Sequence, residues 1–199
     1  MRDDPDQVSK AVIRRSVRAR RRAISPQARA SATAQITSRL IALAQALGAR
    51  SVAAYSAVAS EPDVSPFLEW ALAHDVEVLL PVSLADSQLD WVRYTGPQGL
   101  APGRHGIAEP LGERLGSGAA HGVDLMLVPA CAVDDSGTRL GWGMGYYDRC
   151  LAQLPATTPV YAVVFDEDRY PDLPRDPHDV PISGAVSPGA LTRVLSVTD

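Results

Sequence analysis

Residues 123–133 read VDLMLVPACAV. A run this apolar has no polar face to offer water, which predicts a strand buried on both sides. Such strands belong to parallel sheets, because the crossover connections lay helices over both faces. The run falls well short of a membrane span. It is followed by RLGWGMGYYDR, residues 139–149, with glycines at 141, 143 and 145. In a parallel sheet, ligands bind outside the carboxyl ends of the strands, and this loop follows such an end.

The rest of the chain supplies the alternation of helices and strands that such a sheet needs. Residues 8–23 read as a helix with Lys10, Arg14 and Arg18 on one face. Residues 26–47 read as a second helix, with Ser25 as N-cap, Pro26 at the first position, an apolar stripe at Ile36, Leu40, Leu43 and Leu47, and Gly48 as the stop. Strands are predicted at 51–56, 76–81, 89–94 and 160–165, and a third helix capped by Ser65 with Pro66 behind it. Residues 95–122 read as loop, 146–154 as a helix, and the proline-rich tail as extended. The expected fold is α/β: a single three-layer domain over residues 1–199, with a mainly parallel sheet flanked by helices and a basic N-terminal helix.

With 46% hydrophobic and 21% charged residues, disorder does not fit. The two cysteines, Cys131 and Cys150, form no CxxC or zinc-type spacing and are expected to be reduced and buried. VIRRSVRARRRAIS is Arg-rich enough to suggest a transit peptide, but its apolar residues recur as in an internal helix. No secretory signal is apparent, so a cytoplasmic protein is expected, without membrane or nucleic-acid partners and monomeric.

Charge is unevenly spread. Residues 1–50 hold 11 Lys or Arg against 3 Asp or Glu, and the remainder 8 against 20. A basic arm on an acidic body is either a solvated helix face docked on acidic surface or an anion site.

Glycines let a backbone adopt positive φ and let a ligand approach it closely. A loop of that kind opening into a helix presents unpaired N–H groups to phosphate. Arg139 and Arg149 flank it, and Asp148 either complements the helix dipole or holds a Mg2+ on phosphate oxygens. Trp142, Tyr146 and Tyr147 either stack on a heterocycle or pack. The spacing is neither the Walker type nor the dinucleotide GxGxxG. No Ser/His/Asp nucleophile system is apparent.

LGWGMGYYDR resembles the signature loop of 5-formyltetrahydrofolate cyclo-ligases. KAVIRR, AAYSAVASEPDV, VEVLLPV, GIAEP and LPRDPHDVPIS also resemble that family's blocks, in the family's order over nearly the whole chain. The resemblance implies ATP-dependent, Mg2+-dependent cyclisation of 5-formyltetrahydrofolate to 5,10-methenyltetrahydrofolate, with ADP and phosphate released. The formyl oxygen would attack the γ-phosphate, and N10 would then attack the activated carbon.

It also implies roles. Lys10 and Arg14 would reach the ATP phosphates, with Arg14 also near the folate. Arg139, Leu140, Gly141, Trp142, Gly143, Met144, Gly145, Tyr146 and Tyr147 would cradle the nucleotide, and Trp142 to Tyr146 would also border the folate. Glu61 would accept from the pterin N–H groups, Ser56 would lie near the folate, and Asp148 and Asp179 would serve the metal, with His178 beside Asp179. Met144 departs from the family, which more often has Gly or a basic residue there. Two rival readings remain: an enzyme of another class on a similar scaffold, such as a sugar-phosphate isomerase or CoA transferase, and a nucleic-acid-binding module using the basic helix.

Overall fold

The computed structural model describes residues 5–176 and 179–194, with side chains from Ser9 onward. A seven-stranded sheet forms the middle layer. Its strands are β1 (Ser51–Ala53), β2 (Glu77–Ser83), β3 (Leu89–Arg93), β6 (Leu125–Pro129), β9 (Val160–Val163), β11 (Gly184–Val186) and β12 (Leu191–Arg193). The order is β12-β11-β9-β6-β1-β2-β3. The five inner strands run parallel, and the two edge strands are antiparallel to their neighbours. Two small sheets stand apart: β4 (Leu100–Pro102) with β5 (Ala108–Pro110), and β7 (Ala132–Asp134) between β8 (Arg139–Leu140) and β10 (Arg169–Tyr170).

Period-two alternation divides each inner strand between two cores. Val52, Val78, Leu80, Leu125, Leu127, Tyr161 and Val163 face α2 (Pro26–Leu47) and α3 (Ser65–Ala73), meeting Ile36, Leu40, Leu43, Phe67 and Leu68. Ala53, Leu79, Met126, Val128, Ala162 and Val164 face the other way, sharing a core with Trp91 of β3 and with Leu151 of α4 (Tyr146–Leu151). These are the three layers that the near-continuous apolar runs predict. Ser25 caps α2, its hydroxyl accepting from the Ala28 N–H at 3.2 Å. Gly48 ends that helix in the left-handed region at φ 62°.

Several boundaries differ from the sequence reading. Ser65 is the first residue of α3 rather than its cap, and the Asp63 carboxylate accepts its N–H at 2.9 Å. Strand β1 stops at Ala53, which releases Tyr55 and Ser56 to line a cavity. The run 123–133 breaks into two strands in different sheets. Pro129 ends the first, and a buried guanidinium, Arg21, takes the Ala130 and Cys131 carbonyls at 2.8 and 3.2 Å. The helix after the glycine loop runs to Leu151 instead of Leu154. Residues 95–122 carry the β4–β5 hairpin, in which Glu109 of GIAEP accepts the Ser83 N–H at 3.0 Å.

The basic helix α1 (Pro5–Ala23) is not a solvated appendage. Lys10, Val17 and Arg21 are buried and Arg14 half-buried, a 4-3-4 spacing that sets one stripe against the protein. Val17 packs on Cys131, Ala132, Leu140 and Leu173.

Candidate functional site

Walking outward from the centre of the sheet, the chain order reverses between β1 and β6. The carboxyl ends of strands diverge at such a point and leave a crevice for a ligand. A cavity of about 410 Å3 lies there. Tyr55 and Ser56 beyond β1, Pro129 at the end of β6, and Pro81 and Ser83 of β2 form its floor. The glycine loop from Gly141 to Tyr147 forms one wall, and Arg18 and Arg22 of α1 line it too. His105 and Ile107 reach in from the β4–β5 hairpin, where His105 stands 3.4 Å from the Tyr146 hydroxyl.

The loop holds its shape through backbone conformations that need glycine. Gly143 has φ 95° and Gly145 φ 74°, values that side chains other than glycine's rarely adopt. A Cβ at Gly145 would stand 2.6 Å from Nη1 of Arg149, which folds back onto the Gly145 carbonyl. Arg149 thus braces the loop. Arg14 grips it from α1, with Nε donating to the Gly141 carbonyl at 2.8 Å and its guanidinium beside Gly143.

Charged residues beside the loop are paired with one another. Lys10 Nζ bonds Asp176 at 2.6 Å and Asp179 at 3.3 Å, and Asp179 also accepts the Asp176 N–H at 2.8 Å. Burial alone lowers the Lys10 pKa, but the bond to Asp176 and the charge of Asp179 outweigh it and leave it raised. Arg139 is buried and forms a salt bridge with Asp148, whose side chain is 39% exposed. Among the described residues, no group of three or more His, Cys, Asp or Glu is placed to hold a metal.

Glu61 presents a different environment. It is 8% exposed, its Oε1 accepts from the Trp142 indole N–H at 3.0 Å, and its Oε2 accepts from the Val58 N–H at 3.2 Å. Burial raises its pKa, against the opposing pull of the Val58 N–H, the Arg21 charge and the Trp142 N–H. Two guanidinium groups, those of Arg18 and Arg21, approach the Trp142 ring, each 5.2 Å from its centroid.

The residues singled out by sequence fall into two sets. Ser56, Glu61, Arg139, Gly141, Trp142, Gly143, Met144, Gly145, Tyr146, Tyr147 and Asp148 all line the cavity. Lys10, Arg14 and Asp179 lie outside that lining, with Arg14 on the loop and Lys10 joined to Asp179. Leu140 is buried against Val17 and Leu173. Tyr147 is half-buried against both cores, and burial holds its phenol well above the usual range. Both cysteines are free. Cys131 is buried and Cys150 half-buried, and burial raises each thiol to about 11. His178 lies outside the described residues.

Sequence reading missed Asp176, Arg21 with its partner Asp168, and Asp134. The Asp134 carboxylate ties the turn at Ser136 and Thr138 to the Leu173 N–H in the tail. The 4-3-4 spacing through Lys10, Arg14, Val17 and Arg21 was the available signal for Arg21. Asp168 had no such signal, because only the fold brings it to Arg21, and the same holds for the bond from Asp134 to Leu173.

A parallel sheet with a cavity at its switch point, a glycine loop and a cationic helix beside it define a class: α/β proteins that hold an anionic ligand against a partly apolar pocket. Within that class the chain belongs to the 5-formyltetrahydrofolate cyclo-ligase family, whose profile matches residues 6–188. It is 39% identical over 147 residues to the 5-formyltetrahydrofolate cyclo-ligase of Mycolicibacterium smegmatis, covering 71% of this chain and 75% of that one. The Escherichia coli K12 enzyme of the same name is 29% identical over 179 residues, 88% of this chain and 98% of that one. The solution structure of Aquifex aeolicus 5,10-methenyltetrahydrofolate synthetase superposes with a TM-score of 0.80 at 29% identity, covering 96% of this chain and 95% of that one.

Proposed function

We propose that this chain joins N10 and the formyl carbon of 5-formyltetrahydrofolate, making 5,10-methenyltetrahydrofolate at the expense of ATP. The observation that carries this reading is Glu61: a buried carboxylate in the wall of a cavity that the glycine loop also lines, held by the indole N–H of Trp142 from that loop. The pteridine of a folate offers a row of N–H donors, and a fixed carboxylate is their complement. The glycine loop suits a phosphate chain, and Lys10 and Arg14 lie on its α1 side.

The chemistry needs alignment more than a protein nucleophile. An amide-like formyl oxygen is a poor leaving group. Its attack on the γ-phosphorus of ATP breaks the bond to the bridging oxygen, frees ADP and leaves the carbon bearing a phosphate ester. N10 then attacks that carbon and loses its proton, and the C–O bond breaks to release phosphate. Holding the two substrates in line and offsetting the phosphate charge supply the rate.

Asp148 and Asp179 fit a Mg2+ brought on the nucleotide. Such an ion takes one or two protein carboxylates and fills its other positions with phosphate and water. Asp148 is exposed enough to serve, and Asp179 would exchange Lys10 for the ion. Bound there, Mg2+ would offset charge on the transferring phosphoryl group.

The test is direct. Purified protein is mixed with 5-formyltetrahydrofolate and MgATP, and the near-ultraviolet absorbance of the methenyl product is followed. A rise that disappears when ATP is omitted is the expected result. A flat trace from folded protein that binds MgATP would overturn the choice of acceptor and bring forward another enzyme class on this scaffold.

A further inference from the structure

Arg21 is a charged side chain only 1% exposed. Its Nε donates to Asp168 at 2.8 Å. Its Nη2 donates to the Ala130 and Cys131 carbonyls, and its Nη1 to the Ser60 carbonyl at 3.4 Å. The guanidinium also lies 5.2 Å from the Trp142 centroid and 5.4 Å from that of Phe165. Three of these partners adjoin the pocket. Ser60 precedes Glu61, Ala130 follows Pro129 in the cavity floor, and Trp142 donates to Glu61.

We infer that Arg21 is a positioning residue for folate: one buried cation fixes the Ser60–Glu61 segment, the end of β6 and the Trp142 ring, so that Glu61 meets the pteridine as an oriented anion. This rests on the folate reading of Glu61 proposed above. Filling space alone would not require a guanidinium. A buried ion pair is often replaceable by apolar residues, but an apolar side chain would leave the strand-break carbonyls of Ala130 and Cys131 without a donor. Lysine would keep the charge but not the fork that reaches several acceptors at once.

Arg21 is also the nearby cation that acts on Glu61. The other ionisable groups around this carboxylate are Tyr55 beyond β1 and Tyr147 of α4, both neutral phenols at neutral pH. On the cavity wall are Arg18 and Arg22 from α1, His105 from the hairpin, and the Arg139–Asp148 pair. Removing Arg21 therefore withdraws positive charge from a site where burial already disfavours the carboxylate.

The experiment uses Arg21→Lys, Arg21→Met and Arg21→Met combined with Asp168→Leu, the last because Asp168, which Arg20 also holds at 2.9 Å, would keep only that half-exposed partner in Arg21→Met. Folding is checked by circular dichroism and melting. Binding of 5-formyltetrahydrofolate and of MgATP is then titrated separately across pH. In the folded methionine variants, folate binding is expected to weaken about tenfold, the size of one hydrogen bond to a charged group. Its acidic limb should move to higher pH while MgATP binding stays put. Arg21→Lys should return the acidic limb towards its original place and recover only part of the affinity. Folded variants in which the limb does not move, or in which both ligands weaken alike, would overturn the proposal. NMR titration of the Glu61 carboxyl in ligand-free protein keeps the two ideas apart. If wild-type protein binds no folate while that titration still rises in Arg21→Met, the folate reading fails and the coupling of Arg21 to Glu61 stands.

Discussion

The two sides of the glycine loop handle charge in opposite ways. On the α1 side and at the loop's ends, where Arg139 and Asp148 also border the cavity, opposite charges already neutralise one another: Lys10 with Asp176 and Asp179, and Arg139 with Asp148. On the cavity side, Glu61 is buried with one indole N–H, one backbone N–H and no cation within salt-bridge distance among the described residues. On the proposed reading, a phosphate chain arriving on the first side would exchange partners and meet cations kept in place by aspartates. A pteridine arriving on the second side would add donors to a carboxylate that has room for more. One half of the site is held ready by compensation and the other by shortage, and substitutions should affect the two in different ways.

The largest effects belong to the compensated side. Asp148→Ala frees Arg139 and removes the carboxylate proposed for a nucleotide-borne ion, and Lys10→Ala removes the cation that Asp176 and Asp179 share. Each should lower kcat by about 10²- to 10³-fold, the usual loss when one charge-stabilising group leaves a transferring centre. KM for 5-formyltetrahydrofolate should stay within about threefold, since the folate contacts are untouched. Steady-state kinetics with each substrate varied in turn decides the matter. A rise in folate KM as large as the fall in kcat would erase the distinction between the two sides.

Next is Asp134→Ala, which reaches the compensated side through the fold. Asp134 is 7% exposed, and its carboxylate accepts the Ser136, Thr138 and Leu173 N–H groups at 2.9 to 3.0 Å. Truncation leaves buried donors unpaired and should cost about 3 kcal/mol in a urea melt. Because the tail bearing Asp176 hangs from Leu173, MgATP binding should weaken more than folate binding. Equal weakening would mean that the tail does not serve the nucleotide side in particular.

Glu61→Gln probes the side held by shortage, and the sign follows from linkage. Burial raises the Glu61 pKa in the fold, so over the interval above the ordinary carboxylate value, about 4.3, the native state binds more protons than the unfolded chain. Stability therefore falls as pH rises through that interval, and at neutral pH the ionised group opposes folding. Glutamine removes the titration. Glutamine keeps one acceptor oxygen for the two N–H donors, so the sign lies in the trend: relative to wild type the variant should gain stability as pH rises from acid to neutral, and bind 5-formyltetrahydrofolate about tenfold more weakly. Urea melts at several pH values test the first part. Parallel pH profiles for the two proteins would show that Glu61 is not under strain.

How much of this was readable in advance depended on whether the signal was local. Strands alternating with helices, and the near-continuous apolar run VDLMLVPACAV, revealed a sheet covered on both faces, and Ser25 and Gly48 bounded α2, because burial and capping act over a few residues. The loop glycines pointed to an anion site by themselves and left Trp142 open between stacking and packing, but Glu61 was legible only through likeness to a family, as single charges in loops have many uses. The break after Pro129 was hidden because the donor that satisfies its carbonyls, Arg21, lies more than a hundred residues earlier. The pairing of Lys10 with two aspartates of the tail was hidden in the same way, since hydrophobic periodicity says nothing about which distant charges will meet.

The smallest effect marks where the two sides meet. Met144 sits at the loop tip between two glycines of positive φ, lines the cavity and is 51% exposed. Met144→Lys would add a cation without disturbing the core. If the tip belongs to the nucleotide side, KM for ATP should fall by about threefold in dilute buffer, the scale of one exposed charge interaction, and the gain should fade at high salt. KM for 5-formyltetrahydrofolate should not move, because a long exposed side chain keeps its charge in water, away from the pteridine. If the folate KM responds instead, the tip is part of the folate wall, and the boundary between the compensated and the charge-short halves runs through Gly143 rather than beyond Gly145.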